Sequence, residues 1–230
     1  PKISTTNKTL GKFTPDWTGG ISNTFSYRSL SLSFLIDASV GGSIFSNTNK
    51  TGKYTGVLAN TLSGRDAEHG GLWYYTAAMG NNVRLPESPS YSVSSDGLYY
   101  AQVNGQSTRV YQDGIMVEGV TESGSKNEEV VSAEKYYHRI YSIAEANVYD
   151  ASYVKLREVA LSYRLPRLWT QKLHLQEASV TLTGRNLWTI YKSVPNIDPE
   201  SALTTGNAQG VEAYSLPTTR SFGVNLSVKF

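Results

Sequence analysis

A chain of 230 residues with a formal net charge of +2, 17% charged residues and no Cys excludes disulfide frameworks and thiolate chemistry. It also offers no basic run for tracking nucleic-acid phosphates. With 16 Tyr and 20 Gly the composition points to an all-β protein. No run approaches the ~18 consecutive apolar residues of a membrane-spanning helix. A mean hydropathy of -0.33 is also what a barrel shows, because lipid-facing and lumen-facing side chains alternate along each strand.

In chain order, the first predicted strand is Thr18 to Tyr27, with Ile21, Phe25 and Tyr27 on one side. Only Arg28 and Ser29 separate it from the second, where Leu30, Leu32, Phe34, Ile36 and Ala38 alternate with Ser31, Ser33, Leu35 and Asp37. A connection of roughly a hundred residues follows, Ser46 to Asp150, with room for strand extensions around Val130 to Ile143. The third strand sets Val159, Leu161, Tyr163 and Leu165 against Ala160, Ser162 and Arg164, and a moderate link through Pro166 leads to the fourth. There Ala178, Val180 and Leu182 oppose Ser179, Thr181, Thr183 and Arg185. After a second long connection, Tyr191 to Thr218, the final strand places Phe222, Val224, Leu226, Val228 and Phe230 at every second position. That unbroken period of two gives one apolar face and one small or polar face. No segment of comparable length carries the 3.6-residue period of a helix.

Short links alternate with long ones, as periplasmic turns alternate with extracellular loops in outer-membrane barrels. The expected fold is therefore all-β, with antiparallel strands forming part of a large transmembrane β-barrel with long extracellular loops. This orientation leaves Phe230 on the periplasmic side and Pro1 on the extracellular side. Five strands cannot close a barrel, and an open sheet would expose two edges, so residues 1-230 are expected to be a barrel fragment. The competing architecture is a soluble secreted β-sandwich acting as a carbohydrate-binding or adhesin-like module. It accounts for the alternation but not for the hundred-residue connection.

Several stretches carry a family resemblance: Pro15-Asp16-Trp17-Thr18-Gly19-Gly20 with Asn23-Thr24-Phe25-Ser26-Tyr27, Leu30 to Asp37 with Gly41-Gly42, Tyr149 to Val159 running on to Leu165-Pro166, Thr183-Gly184-Arg185-Asn186-Leu187, and Asn196-Ile197-Asp198-Pro199-Glu200. In this order they resemble the C-terminal third of SusC/RagA-type TonB-linked outer-membrane transporters of Bacteroidetes. The resemblance implies a C-terminal piece of a plugged barrel of about 22 strands, in the bacterial outer membrane and in contact with its lipid. It further implies import of an oligosaccharide or peptide beneath a SusD-like surface lipoprotein, with TonB acting through an N-terminal region and plug domain absent from this chain. An enzyme is not implied, and no cofactor is. The stretch Gly70 to Asp113 matches least, as an extracellular loop would.

Individual motifs divide between structural and functional readings. Gly184 permits close approach to a strand, and Arg185 and Asn186 can satisfy nearby carbonyls or carboxylates. Asp150, Lys155, Arg157 and Glu158 bring opposite charges to one strand start, as a solvated rim network or as a lumenal ladder against the plug. His69, His138 and His174 lie far apart without a ligand pattern, so no metal is expected. Glu128, Glu129, Asp198 and Glu200 fall in loops with no sign of catalysis. Trp73, Tyr74, Tyr75, Tyr99 and Tyr100 read as exposed aromatics facing substrate or lid, with an interfacial girdle or plain loop packing as alternatives. Trp188 and Tyr191 sit where a strand leaves the bilayer and are expected in the girdle.

Overall fold

The computed structural model describes residues 6–121, 123–172, 174–201, 206 and 208–230; Pro1, expected at the extracellular side, lies outside them. In chain order the elements are β1 (Trp17–Tyr27), β2 (Leu30–Val40), β3 (Ser43–Ser46), α1 (Asn47–Thr55), β4 (Leu72–Thr76), β5 (Asn82–Arg84), β6 (Tyr91–Val93), β7 (Tyr99–Val103), β8 (Gln106–Met116), β9 (Val130–Ser132), α2 (Ala133–Tyr141), β10 (Val148–Asp150), β11 (Tyr153–Arg164), α3 (Arg167–Lys172), β12 (Glu177–Lys192), β13 (Val211–Glu212) and β14 (Ser221–Lys229). They form two compact units, one of residues 7–48 with 147–230 and one centred on residues 49–146.

The first unit is built on a five-stranded antiparallel sheet in the order β1-β2-β11-β12-β14. These are the five strands expected from the alternation, with β11 starting earlier and β12 ending later. Their register converts five separate alternations into two continuous faces. Phe25, Leu32, Leu161, Leu182 and Val224 stand directly opposite one another in a single row across the sheet. The adjacent row, on the other face, is Ser26, Ser31, Ser162, Thr181 and Asn225, with hydroxyl pairs Ser26–Ser31 at 2.9 Å and Ser162–Thr181 at 2.8 Å. Because the side-chain period is two, a one-residue slip anywhere would mix these faces.

The tight β1–β2 loop is closed by Arg28 at φ 51, and the turn after β2 by Gly41 and Gly42 at φ 78 and 81, a region glycine enters without penalty. Beyond that turn β3 pairs with β10 and, in parallel, with β13. A small core of Ile44, Val194 and Ile197 forms here, with Tyr149 and Ala151 packed on it.

The second unit corrects the expectation of a long open loop. Residues 49–146 fold into a six-stranded sheet, β5-β4-β8-β7-β6 with β9 added to β8, around Trp73, Ala101 and Val110. The β7–β8 hairpin turns on Asn104-Gly105, both at positive φ (51 and 77), the dipeptide that a two-residue hairpin favours because its twist matches the strands. The stretch Val130 to Ile143, expected to extend a strand, does so only through Ser132. There Ser132 caps α2, its Oγ accepting from the Lys135 amide at 3.3 Å. A capped turn followed by Ala133-Glu134-Lys135 favours helix over strand.

Candidate functional site

The two faces of the five-stranded sheet are chemically opposite. On the apolar side exposure is greatest on β14, where Phe222, Val224 and Leu226 are 80%, 74% and 65% exposed, while Phe34, Ile36, Val159 and Val180 are half-buried. Phe25 stacks on Phe34 at 6.2 Å across the first hairpin. At one end of this face stand Trp17, Trp188 and Tyr191, and at the other Tyr27, Tyr163 and Phe230, all exposed. Trp188 and Tyr191 thus occupy the sheet end expected of them, on the side of the long connections. The ten steps between the first and last of the 11 residues of β1 span about 33 Å at about 3.3 Å per step. A tilt of about 40° reduces this to a height of about 25 Å, matching the apolar band of an outer-membrane barrel.

The polar side is organised by charge. A bulge at Arg157, where Leu156 and Glu158 take consecutive partners on β2, brings Arg157 and Lys155 together at the end of the long connections. Lys155 is opposite Asp37 in the register, yet its Nζ donates to Asp198 Oδ1 at 2.5 Å and to Glu200 Oε2 at 2.6 Å. Arg157 donates to Asp37 Oδ2 through Nε at 2.9 Å and through its terminal nitrogen at 2.7 Å, and also clamps Glu200. The Tyr153 hydroxyl donates to Glu200 Oε1 at 2.9 Å. Thr218 closes the ring, its hydroxyl reaching Asp198 Oδ2 at 2.5 Å.

Lys155 and Asp198 are buried, so this is a desolvated network, stable only because each charge meets an opposite charge and directed hydrogen bonds. Burial pushes the carboxyls of Asp198 and Glu200 up. The hydrogen bonds from Lys155 and Thr218 on Asp198, and from Arg157, Lys155 and Tyr153 on Glu200, outweigh it and hold both down at about 2. A second anchor lies nearby in the same unit. Glu212 is buried and accepts from Ser46 Oγ at 2.7 Å, Thr48 Oγ1 at 2.6 Å and the Ser215 amide at 3.1 Å. Burial raises its pKa, but these donors lower it below the ordinary value, since bonds to the charged form favour it.

A charge network does form at this strand start, but it is desolvated where a solvated one was the expectation, and its membership is corrected. Asp150 turns away to accept from the Ser152 amide at 2.6 Å, and Glu158 pairs with Arg185 at 2.9 Å. Asp198 and Glu200, carboxylates of the connection after β12, take their place. At Gly184-Arg185-Asn186-Leu187 the strand bulges, with Asn186 at φ 51. Gly184 leaves room for Leu187, whose side chain lies 2.8 Å from where a Cβ would stand. Asn186 Nδ2 donates to Thr219 O at 3.2 Å.

In the second unit Trp73 and Tyr74, expected as exposed platforms, are each 5% exposed. The reason is β4's central place between β5 and β8. Trp73 packs on Tyr91 at 4.9 Å and Tyr99 at 5.4 Å, while Tyr74 stacks on Tyr111 at 5.2 Å and donates to Asp113 at 3.1 Å. Tyr75 and Tyr100 are half-buried and Tyr99 is exposed. The histidines have separate surroundings: His69 meets Asp66 at 2.7 Å, His138 stacks on Tyr54 at 4.1 Å, and His174 takes φ 57 in the link before β12.

No protein-family profile matches the chain. Over 94 residues, 38% of the chain, it is 34% identical to "TonB-dependent receptor P3" of Formosa agariphila. The chain resembles a TonB-dependent receptor. Solved structures similar to it include the RagAB peptide importer in its "closed-closed" state, at TM-score 0.48 and 17% identity over the whole chain, and in its "open-open" state, at 0.45 and 18% over 95%. The match spans 9% of the TonB-dependent receptor and 17–19% of the RagAB chains. These relatives are named as a receptor and an importer, not as enzymes.

Proposed function

We propose that the chain is a stretch of barrel wall, with its outer loops, from a SusC/RagA-type TonB-dependent transporter of the bacterial outer membrane. The observation that carries this reading is the unbroken apolar row from Phe25 to Val224 and its exposure, on strands long enough to cross the band. In a water-soluble sandwich the same row would be covered by a second sheet. The polar face lines the lumen, and the Lys155–Asp198–Glu200–Arg157 cluster pins the 193–220 connection over the strand ends. The intact protein imports a bulky nutrient, an oligosaccharide or a peptide, with a SusD-like lipoprotein over the outer mouth and TonB acting on a plug outside this chain. Of the aromatic candidates, Tyr99 with Tyr100 remains the surface available to substrate or lid.

The chain has no Cys, which makes spin labelling direct. In the receptor carrying this chain, reconstituted in lipid, labels at Val224→Cys and Leu226→Cys should be accessible to oxygen and shielded from a polar nickel chelate. A label at Asn225→Cys should show less oxygen access. Labels at 224 and 226 shielded from both reagents would mean a protein layer covers the face, and the wall reading would fail.

A further inference from the structure

The link between β11 and β12 takes no part in either face of the wall or in the charged cluster. It is short, and hydrogen bonds shape its described residues. Pro166 O accepts from the amides of Trp169 at 2.9 Å and Thr170 at 3.3 Å, and Thr170 O from Leu175 N at 2.9 Å. Thr170 is buried, while Leu168 and Trp169 are 73% and 58% exposed. A tight, hydrogen-bonded turn that leaves a Leu and a Trp uncovered is poorly suited to water.

Its position says what would cover them. α3 packs against the start of β12, at the same sheet end as the β1–β2 loop, whose Ser29 O accepts from Arg164 N at 2.8 Å. Tyr27, Tyr163 and Phe230 occupy this end of the apolar face. Leu165, which follows β11 and continues its apolar alternation, is half-buried, and its amide donates to Ala178 O at 2.9 Å; Pro166 and α3 follow it directly, so the link leaves the sheet from an apolar-face position. Arg164 and Glu177, paired at 2.9 Å, and Lys229 stand on the polar face of this end, while Arg167 and Lys172 are the cations of α3 itself. Lys172 is exposed and lies one helical turn from Leu168, on the same side of α3.

We infer that α3 is a membrane-interface foot that seats Leu168 and Trp169 among the acyl chains and sets Arg167 and Lys172 at the phosphates of the phospholipid leaflet on the short-turn side of the sheet. Trp at a lipid–water boundary with flanking cations is the arrangement that holds interfacial segments. The inference rests on the barrel-wall reading. The foot fixes how deep this end of the wall sits, because a helix lying in the headgroup layer resists displacement in either direction.

The test uses the receptor carrying this chain in nanodiscs of phosphatidylethanolamine and phosphatidylglycerol, with nitroxides at Leu168→Cys, at Trp169→Cys and, as a wall reference, at Val224→Cys. The ratio of oxygen to nickel-chelate accessibility at 168 and 169 should approach that at 224, exceeding the aqueous value several-fold. Water-like ratios at 168 and 169 beside a lipid-like 224 would overturn the foot and leave the wall standing. Shielding from both reagents at 168 and 169 would assign the surface to a protein partner and overturn it as well. A 224 label without lipid contact would remove the wall and the foot together.

Discussion

The five-stranded wall and the unit of residues 49–146 place the same kinds of side chain in opposite ways. In the inserted unit Trp73, Ala101 and Val110 are buried together as a core, with Tyr75 and Leu85 packed on it, while Met79, Val57 and Val120 stand exposed singly on its surface. In the wall the equivalent positions of the alternation, Phe25, Leu182, Phe222, Val224 and Leu226, lie uncovered, and the residues turned to the other side are Ser, Thr, Asn and charged pairs. Period-two patterning says that a strand has an apolar face. What that face meets, a protein layer or a solvent of lipid, is decided only when several strands are registered together.

The sharpest way to break this contrast is to remove an inward side chain from the insert. Trp73→Ala deletes the ring that packs on Tyr91 and Tyr99 and should cost about 3–5 kcal/mol. Hydrogen exchange should report the loss across β4, β7 and β8 while β11 and β12 of the wall keep their protection. Equal loss in both units would show that they do not unfold separately.

Next in size is a charge on the outward face. Val224→Arg, one row in from the Tyr27–Tyr163 end of the face, should destabilise the reconstituted receptor by about 1–3 kcal/mol, between the interface and midplane costs, read as a lower denaturant midpoint in lipid. Asn225→Arg, one residue away and on the polar face opposite Thr181, should change it by less than half as much. If the two substitutions cost the same, the faces do not differ in solvent.

The strands of the wall were legible because each carries its own alternation, and a transmembrane strand has no choice but to repeat it. The insert was less legible. β5, β6 and β9 are three residues each, too short for a period to register, and Trp73-Tyr74-Tyr75 within β4 buries both sides of a central strand and so shows no alternation. One local signal was available: Asn104-Gly105 between two β-favouring runs marks the β7–β8 hairpin. The charged cluster was half legible. Lys155 and Arg157 stood out, but Asp198 and Glu200 are more than forty residues away, and no local rule brings them to a bulge on β11. Helix α3 follows Pro166, a common helix start, but at six residues it is too short for a 3.6-residue period.

The smallest expected effect is local and tests the cluster itself. Asp198 and Glu200 are held at about 2, below the unfolded carboxylate range of about 4. A depressed carboxylate contributes stability that is complete above its unfolded value and disappears as pH falls through its folded value. The hold on the 193–220 connection should therefore weaken between about pH 4 and about pH 2, reversibly, without loss of the wall. A fluorophore on Leu216→Cys, exposed in that connection, should lose anisotropy across that window. In Lys155→Ala the cation that offsets burial of Asp198 is gone, so desolvation raises its carboxyl and the release should move upward, beyond pH 4. An unchanged midpoint in that variant would mean that Lys155 does not hold the connection, and that Arg157 and Thr218 suffice.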